Sequence, residues 1–151
     1  MNQQAGGGFA VIGLSAVVSN DDPDAIGALW ASFRAENIRV RLGPDASEDV
    51  FCVYHDYEGG VMDPYRMTIG YRATAAADGL RRVTIPQQSM AVYDATGPQP
   101  QAVIAQWQAI WQSDLARRFV ADYDVYDPRT PDTVRVHVGL NGPIPDPQTA
   151  S

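Results

Sequence analysis

The feature that most constrains the fold is an order of elements that occurs twice. An apolar, β-branched run at Phe9–Val18 is followed by Ile26, Leu29, Trp30 and Phe33, spaced to share one side of a helix. Asp22 stands where a side chain caps free N–H groups, Pro23 at the first helical position, and Asn37 where the helix should stop. Residues 39–47 read as a loop. Strand-like runs follow at 49–57 and 66–74, the second with Met67, Ile69 and Tyr71 on one side. After the turn signal Asp78-Gly79 the order returns. Arg81–Ile85 and 89–95 read as one strand interrupted at Pro86, which has no N–H for a ladder. A second helix opens at Gly97-Pro-Gln-Pro100 and carries Val103, Trp107, Ile110 and Trp111 to about Leu115; strands at 119–126 and 134–140 close the series.

This pattern predicts an α+β fold: duplicated β-α-β-β units, residues 9–77 and 80–140, about a pseudo-twofold axis, with an antiparallel sheet and two helices. The 151 residues suit one ordinary domain, placed at 9–140. Residues 1–8 read as a flexible, Gly-rich leader and 141–151 as a frayed, Pro-rich tail. Ligand clefts form where two units meet, so the junction of the halves is the place to look for a site.

The stretch Phe119-Val-Ala-Asp-Tyr-Asp-Val-Tyr126 supplies the chemistry. Alternation along a strand puts Asp122, Asp124 and Tyr126 on one face, and Phe119, Ala121, Tyr123 and Val125 on the other. A carboxylate beside aromatic rings is the composition that holds an organic cation, by charge pairing and by the ring quadrupole. Asp124 is the candidate anchor, and Tyr126 shares its face. Trp107 and Trp111, four residues apart, share a helix face. Together with Trp30, Tyr57, Tyr71 and the soft gap-filler Met67 they are candidates for the wall; Tyr54 and Tyr93 are further phenols of the same type. Each of these side chains also reads as ordinary packing, and Asp124 as a solvent-facing carboxylate paired with an Arg. Asp122 is either a second anchor or a surface charge.

Other chemistries find little support. The net charge is −7, from 18 acids against 11 bases, and every base is Arg. Such a balance opposes binding to phosphate backbones, so no direct nucleic-acid partner is expected. Cys52 is the only cysteine, which excludes an internal disulfide and a multi-thiolate metal site. His55 and His137 have no partners at metal-ligand spacing, and neither a Gly-x-Ser-x-Gly elbow nor a Ser-His-Asp order occurs. No metal, cofactor or catalytic residue is therefore assigned. No apolar run nears the ~20 residues that span a bilayer, and no basic-then-apolar start marks secretion, so the expectation is a cytoplasmic chain without a membrane partner.

Five segments, in order, resemble the gyrase-inhibitor-like (GyrI-like) effector-binding domain of AraC-type and MerR-type regulators, and most of all its stand-alone integron-cassette branch. They are Ile26-x-x-Leu-Trp30-x-x-Phe33; Ile85-Pro86 with Met90-Ala-Val-Tyr93 and Gly97; Ile104-x-x-Trp107-x-x-Ile110-Trp111; Arg118 to Tyr126; and 134–140. The resemblance implies a cavity between the halves in which a strand carboxylate meets lipophilic cations. The family's Glu is Asp124 here, which draws the charge back by about one bond length, and Met90 stands where a Tyr is expected. No helix-turn-helix pattern precedes Phe9, so the likeness is to the sensor without its DNA-binding partner. The function implied is recognition of hydrophobic organic cations in an aromatic cavity. The alternatives are a hydrolase of strained electrophilic small molecules or an acidic, protein-binding inhibitor module. A homodimer or a regulatory protein partner remains open.

Overall fold

Asp22 accepts a hydrogen bond from the N–H of Ala25 at 3.2 Å, with Pro23 in the first turn, and so opens helix α1 (Pro23–Ala35) where the capping signals predict. A computed structural model describes residues 2–75 and 77–145. Its strands are β1 (Asn2–Gly6), β2 (Phe9–Val18), β3 (Val50–His55), β4 (Tyr65–Arg72), β5 (Arg81–Ile85), β6 (Gln88–Thr96), β7 (Ala121–Tyr126) and β8 (Thr133–Leu140). Two more helices, α2 (Ile38–Leu42) and α3 (Gln101–Trp111), complete the elements of the described residues.

All eight strands form one antiparallel sheet in the order β1-β6-β8-β7-β3-β4-β2-β5. Reading outward from the middle, β3, β4 and β2 of the first unit mirror β7, β8 and β6 of the second. The pseudo-twofold axis falls between β3 and β7, where Cys52 faces Asp124, Tyr54 faces Asp122 and Val50 faces Tyr126. The outermost strands are exchanged: β1, which precedes the first unit, pairs with β6 of the second, and β5 pairs with β2 of the first.

Several expectations need correction. The expected leader contains β1, ordered by its pairing with β6. The expected tail falls partly outside the described residues, which end at 145. Pro86 does not interrupt one strand; it separates β5 from β6, which lie on opposite sides of the sheet. A short third helix, α2, occupies the first part of the expected loop at 39–47. Asn37, at φ 49°, ends α1 in the left-handed region that Asn tolerates, and the chain restarts as helix at once. Helix α3 stops at Trp111 rather than Leu115. Strand β7 begins at Ala121, because Phe119 sits at φ 55° and breaks the alternation assumed for it.

Both helix stripes lie on one face of the sheet. α1 covers a core of Ile12, Val18, Cys52, Met67 and Ile69; α3 covers one of Ala91, Ala95, Val134, Val136 and Val138. The opposite face curls around a third core, in which Val11, Phe51, Val53, Ile85, Met90 and Tyr123 meet across the bend. At one end the margins of the curl approach each other, since only Gly7 and Gly8 separate β1, at one margin, from β2, next to the other. Gly13 and Gly70 face each other in register on β2 and β4; a Cβ on either would strike a carbonyl of the other strand. Burial of side chains such as Ile12, Met67 and Ile69 contributes about 1.5–3 kcal/mol each before chain entropy is subtracted.

Candidate functional site

The central strands carry the site because the helices leave the middle of their face to be covered by side chains. Asp124 projects there from β7 and is fully buried. The Tyr54 hydroxyl donates to its Oδ2 at 2.5 Å, and Trp107 Nε1–H donates to its Oδ1 at 2.9 Å. Among the described residues no cation is paired with it. Loss of hydration lifts its carboxyl to about 7, and the nearby Asp122 charge adds to the rise; the bonds from Tyr54 and Trp107 pull the other way. The reading of Asp124 as a solvent-facing carboxylate paired with Arg is thereby excluded.

The aromatic rings around it obey the pseudo-symmetry. Trp30 of α1 meets Tyr126 of β7 edge-on, with centroids 5.0 Å apart and planes at 73°. Trp107 of α3 meets Tyr54 of β3 in the same way, at 5.1 Å and 70°. Each pair joins the helix of one half to the central strand of the other. From Tyr54 the ring row continues through Tyr65 at 5.8 Å to Tyr57 at 5.7 Å, and then to Phe119 at 5.5 Å.

Asp122 is not a surface charge. It is fully buried and accepts hydrogen bonds from Arg117 Nη2 at 2.8 Å, from Gly139 N–H at 2.6 Å and from the Tyr57 hydroxyl. Burial raises its carboxyl too, while Arg117 is the strongest influence pulling it down.

Of the side chains singled out from the sequence, Trp107 bonds to Asp124, and Trp30 meets Tyr126, two residues along the same strand face. Tyr57 is bound to Asp122 instead. Met67 lies buried in the core under α1, Tyr71 packs on Phe33 at 5.6 Å, and Trp111 sits half-buried against the α3 core, one turn beyond Trp107. Sequence reasoning did not assign Tyr65 or Arg117 to the site, and it named Tyr54 only among the phenols that could complete the wall. For Tyr54 the signal was its aromatic type on a strand; its place beside Asp124 follows from the β3–β7 register, in which Cys52, on the same strand face as Tyr54, faces Asp124. Arg117 carries no such signal, because the chain reaches it through the irregular segment before β7. Among the described residues no group of three or more His, Cys, Asp or Glu side chains could hold a metal, and no helix is long and apolar enough to cross a membrane.

The sequence profile of Cass2, described as integron-associated effector binding protein, matches residues 7–138. The chain belongs to the Cass2 family. As a Cass2-family effector-binding protein it binds small molecules. Solved structures agree on the fold. An integron cassette protein from the mobile metagenome of Vibrio cholerae superposes with a TM-score of 0.77 at 19% identity, over 93% of this chain and 97% of that one. SAV2435, solved bound to tetraphenylphosphonium, gives 0.72 at 13% identity, over 94% and 95%. A putative bacterial transcription regulation protein from Staphylococcus aureus MU50 gives 0.69 at 13% identity, over 93% and 97%. No curated protein sequence matches the chain.

Proposed function

We propose that this Cass2-family chain binds hydrophobic organic cations at Asp124, between the Trp107–Tyr54 and Trp30–Tyr126 pairs. One observation carries the reading: a fully buried carboxylate has only neutral partners and is flanked by aromatic pairs drawn from both halves. An uncompensated carboxylate in a dry site gains most from a cation that is itself weakly hydrated. At about 4 Å and an effective dielectric near 20 the attraction is roughly 4 kcal/mol before desolvation is subtracted. Each indole or phenol face adds about 0.5–2 kcal/mol. The site is closed over Asp124, so a ligand enters by displacing the rings of Tyr54 and Trp107. A binding site for tetraphenylphosphonium on SAV2435, which shares the fold, supports the same class of ligand here.

Titration of tetraphenylphosphonium against the tryptophan fluorescence tests this. Quenching that saturates in the micromolar range, and is weakened at least about tenfold in Asp124→Asn, is the expected result. No quenching at hundreds of micromolar, or equal affinity in the variant, would overturn the reading.

A further inference from the structure

Asp122 and Asp124 stand two residues apart on the same face of β7, about 7 Å along the strand. Both are fully buried, yet their electrical surroundings are opposite. Asp122 is held by the Arg117 guanidinium at 2.8 Å, whereas Asp124 is held by a phenol and an indole. The Arg117 side chain is only 7% exposed. Its guanidinium carbon lies 4.2 Å from the centroid of the Phe119 ring and 5.6 Å from that of Trp107. A carboxylate and two rings therefore already hold one cation, and Trp107 serves both sites: it lies under Arg117 and donates its N–H to Asp124.

We propose that Arg117 is a resident counter-cation that neutralises one of two buried carboxylates, so that the site accepts molecules with a single positive charge and excludes dications. The inference rests on Asp124 being the cation anchor. With Arg117 in place the three charges sum to −1, and one cation completes the balance. A dication leaves a positive charge buried without a partner, and its second charged group meets Arg117 itself; both are unfavourable in a dry interior. The residue type suits the role, since a guanidinium is planar, stacks on rings and stays protonated across the physiological range.

The test compares methyltriphenylphosphonium with the butane-linked bis(triphenylphosphonium) dication, titrated by fluorescence against the wild-type chain, Arg117→Met, Asp122→Asn and the double variant. The wild-type chain is expected to prefer the monocation by about tenfold or more. Arg117→Met, which frees Asp122 as a second anchor, should move the ratio toward the dication by at least about tenfold. The double variant, with both charges gone, should return to the preference of the wild type. Asp122→Asn keeps the test alive if Arg117→Met does not fold: it strips Arg117 of its partner, and the monocation affinity should fall by about tenfold, recovering in the double variant. A ratio that moves less than about twofold in folded Arg117→Met, or an unchanged monocation affinity in Asp122→Asn, overturns the role of Arg117. If neither phosphonium binds the wild-type chain, or Asp124→Asn binds both as well, the anchor reading falls and this inference falls with it. Binding that depends on Asp124 but ignores Arg117 overturns this inference alone.

Discussion

The indole N–H of Trp107 points at Asp124 Oδ1 from 2.9 Å, and the same indole ring packs edge-on against Tyr54, whose hydroxyl holds Oδ2 of that carboxylate. One helix residue thus fixes the Asp124 carboxylate and the ring that covers it. Any movement that admits a ligand disturbs both together.

The carboxyl itself should report that coupling. Folded, Asp124 keeps its proton up to about pH 7; unfolded, it releases it near its ordinary value of 3.8. The folded state therefore holds the extra proton between those values, and the contribution of this group to stability falls as pH rises from about 4 to about 7. The loss is on the order of 4 kcal/mol. His55 and His137 act in the opposite sense. Burial lowers each to about 4, so their contribution is lost as pH falls from the ordinary 6.5 toward 4. Urea unfolding of wild type and Asp124→Asn in parallel separates the two, since only the difference between them follows Asp124. The variant should gain stability relative to wild type by a few kcal/mol between pH 4 and pH 8. A difference that stays flat across this range would show that Asp124 is not held protonated.

Cation affinity should follow the same ionisation with the opposite outcome. Only the ionised carboxylate attracts a cation, so affinity should fall about tenfold for each pH step below about 7 and level off above it. Tyr54→Phe removes a hydrogen bond that favours the ionised form and should move the midpoint upward. Tyr126→Phe should leave the midpoint in place, because that hydroxyl is not bonded to Asp124. Titrations of tetraphenylphosphonium at several pH values decide this, and a pH-independent affinity would count against Asp124 as the anchor.

The close approach of β2 and β4 depends on Gly13 and Gly70. Each lacks a side chain where the facing strand's carbonyl comes closest, Ile69 for Gly13 and Ile12 for Gly70. The obstacle is backbone, which does not swing aside. Gly70→Ala should destabilise the chain by about 3 kcal/mol or more, seen as a lower urea midpoint with an unchanged slope. A variant as stable as wild type would mean that β2 and β4 separate more easily than their register suggests.

Much of this architecture was readable from local pattern. Asp22 and Pro23 opened α1, Trp107 and Ile110 faced the sheet from α3, and the alternation of Asp122, Asp124 and Tyr126 held along β7. What local pattern could not show were the long-range choices. Nothing in Asn2 to Gly6 says that it will pair with β6, since a polar strand at an edge needs only backbone partners. Pro86 looked like a fault within one strand because periodicity does not reveal which neighbour a strand takes. Asp122 looked exposed because its partner arrives from Arg117, outside regular structure. For the same reason the side chains considered for the wall do not all gather: Tyr71 and Met67 lie under α1, while Tyr54 lies beside Asp124.

The exchange of β1 and β5 also settles how separable the halves are. Each half's outermost hydrogen-bonding partner belongs to the other, so a chain nicked at the Asp78-Gly79 turn would yield two fragments interlocked through both margins of one sheet, not two modules free to drift apart.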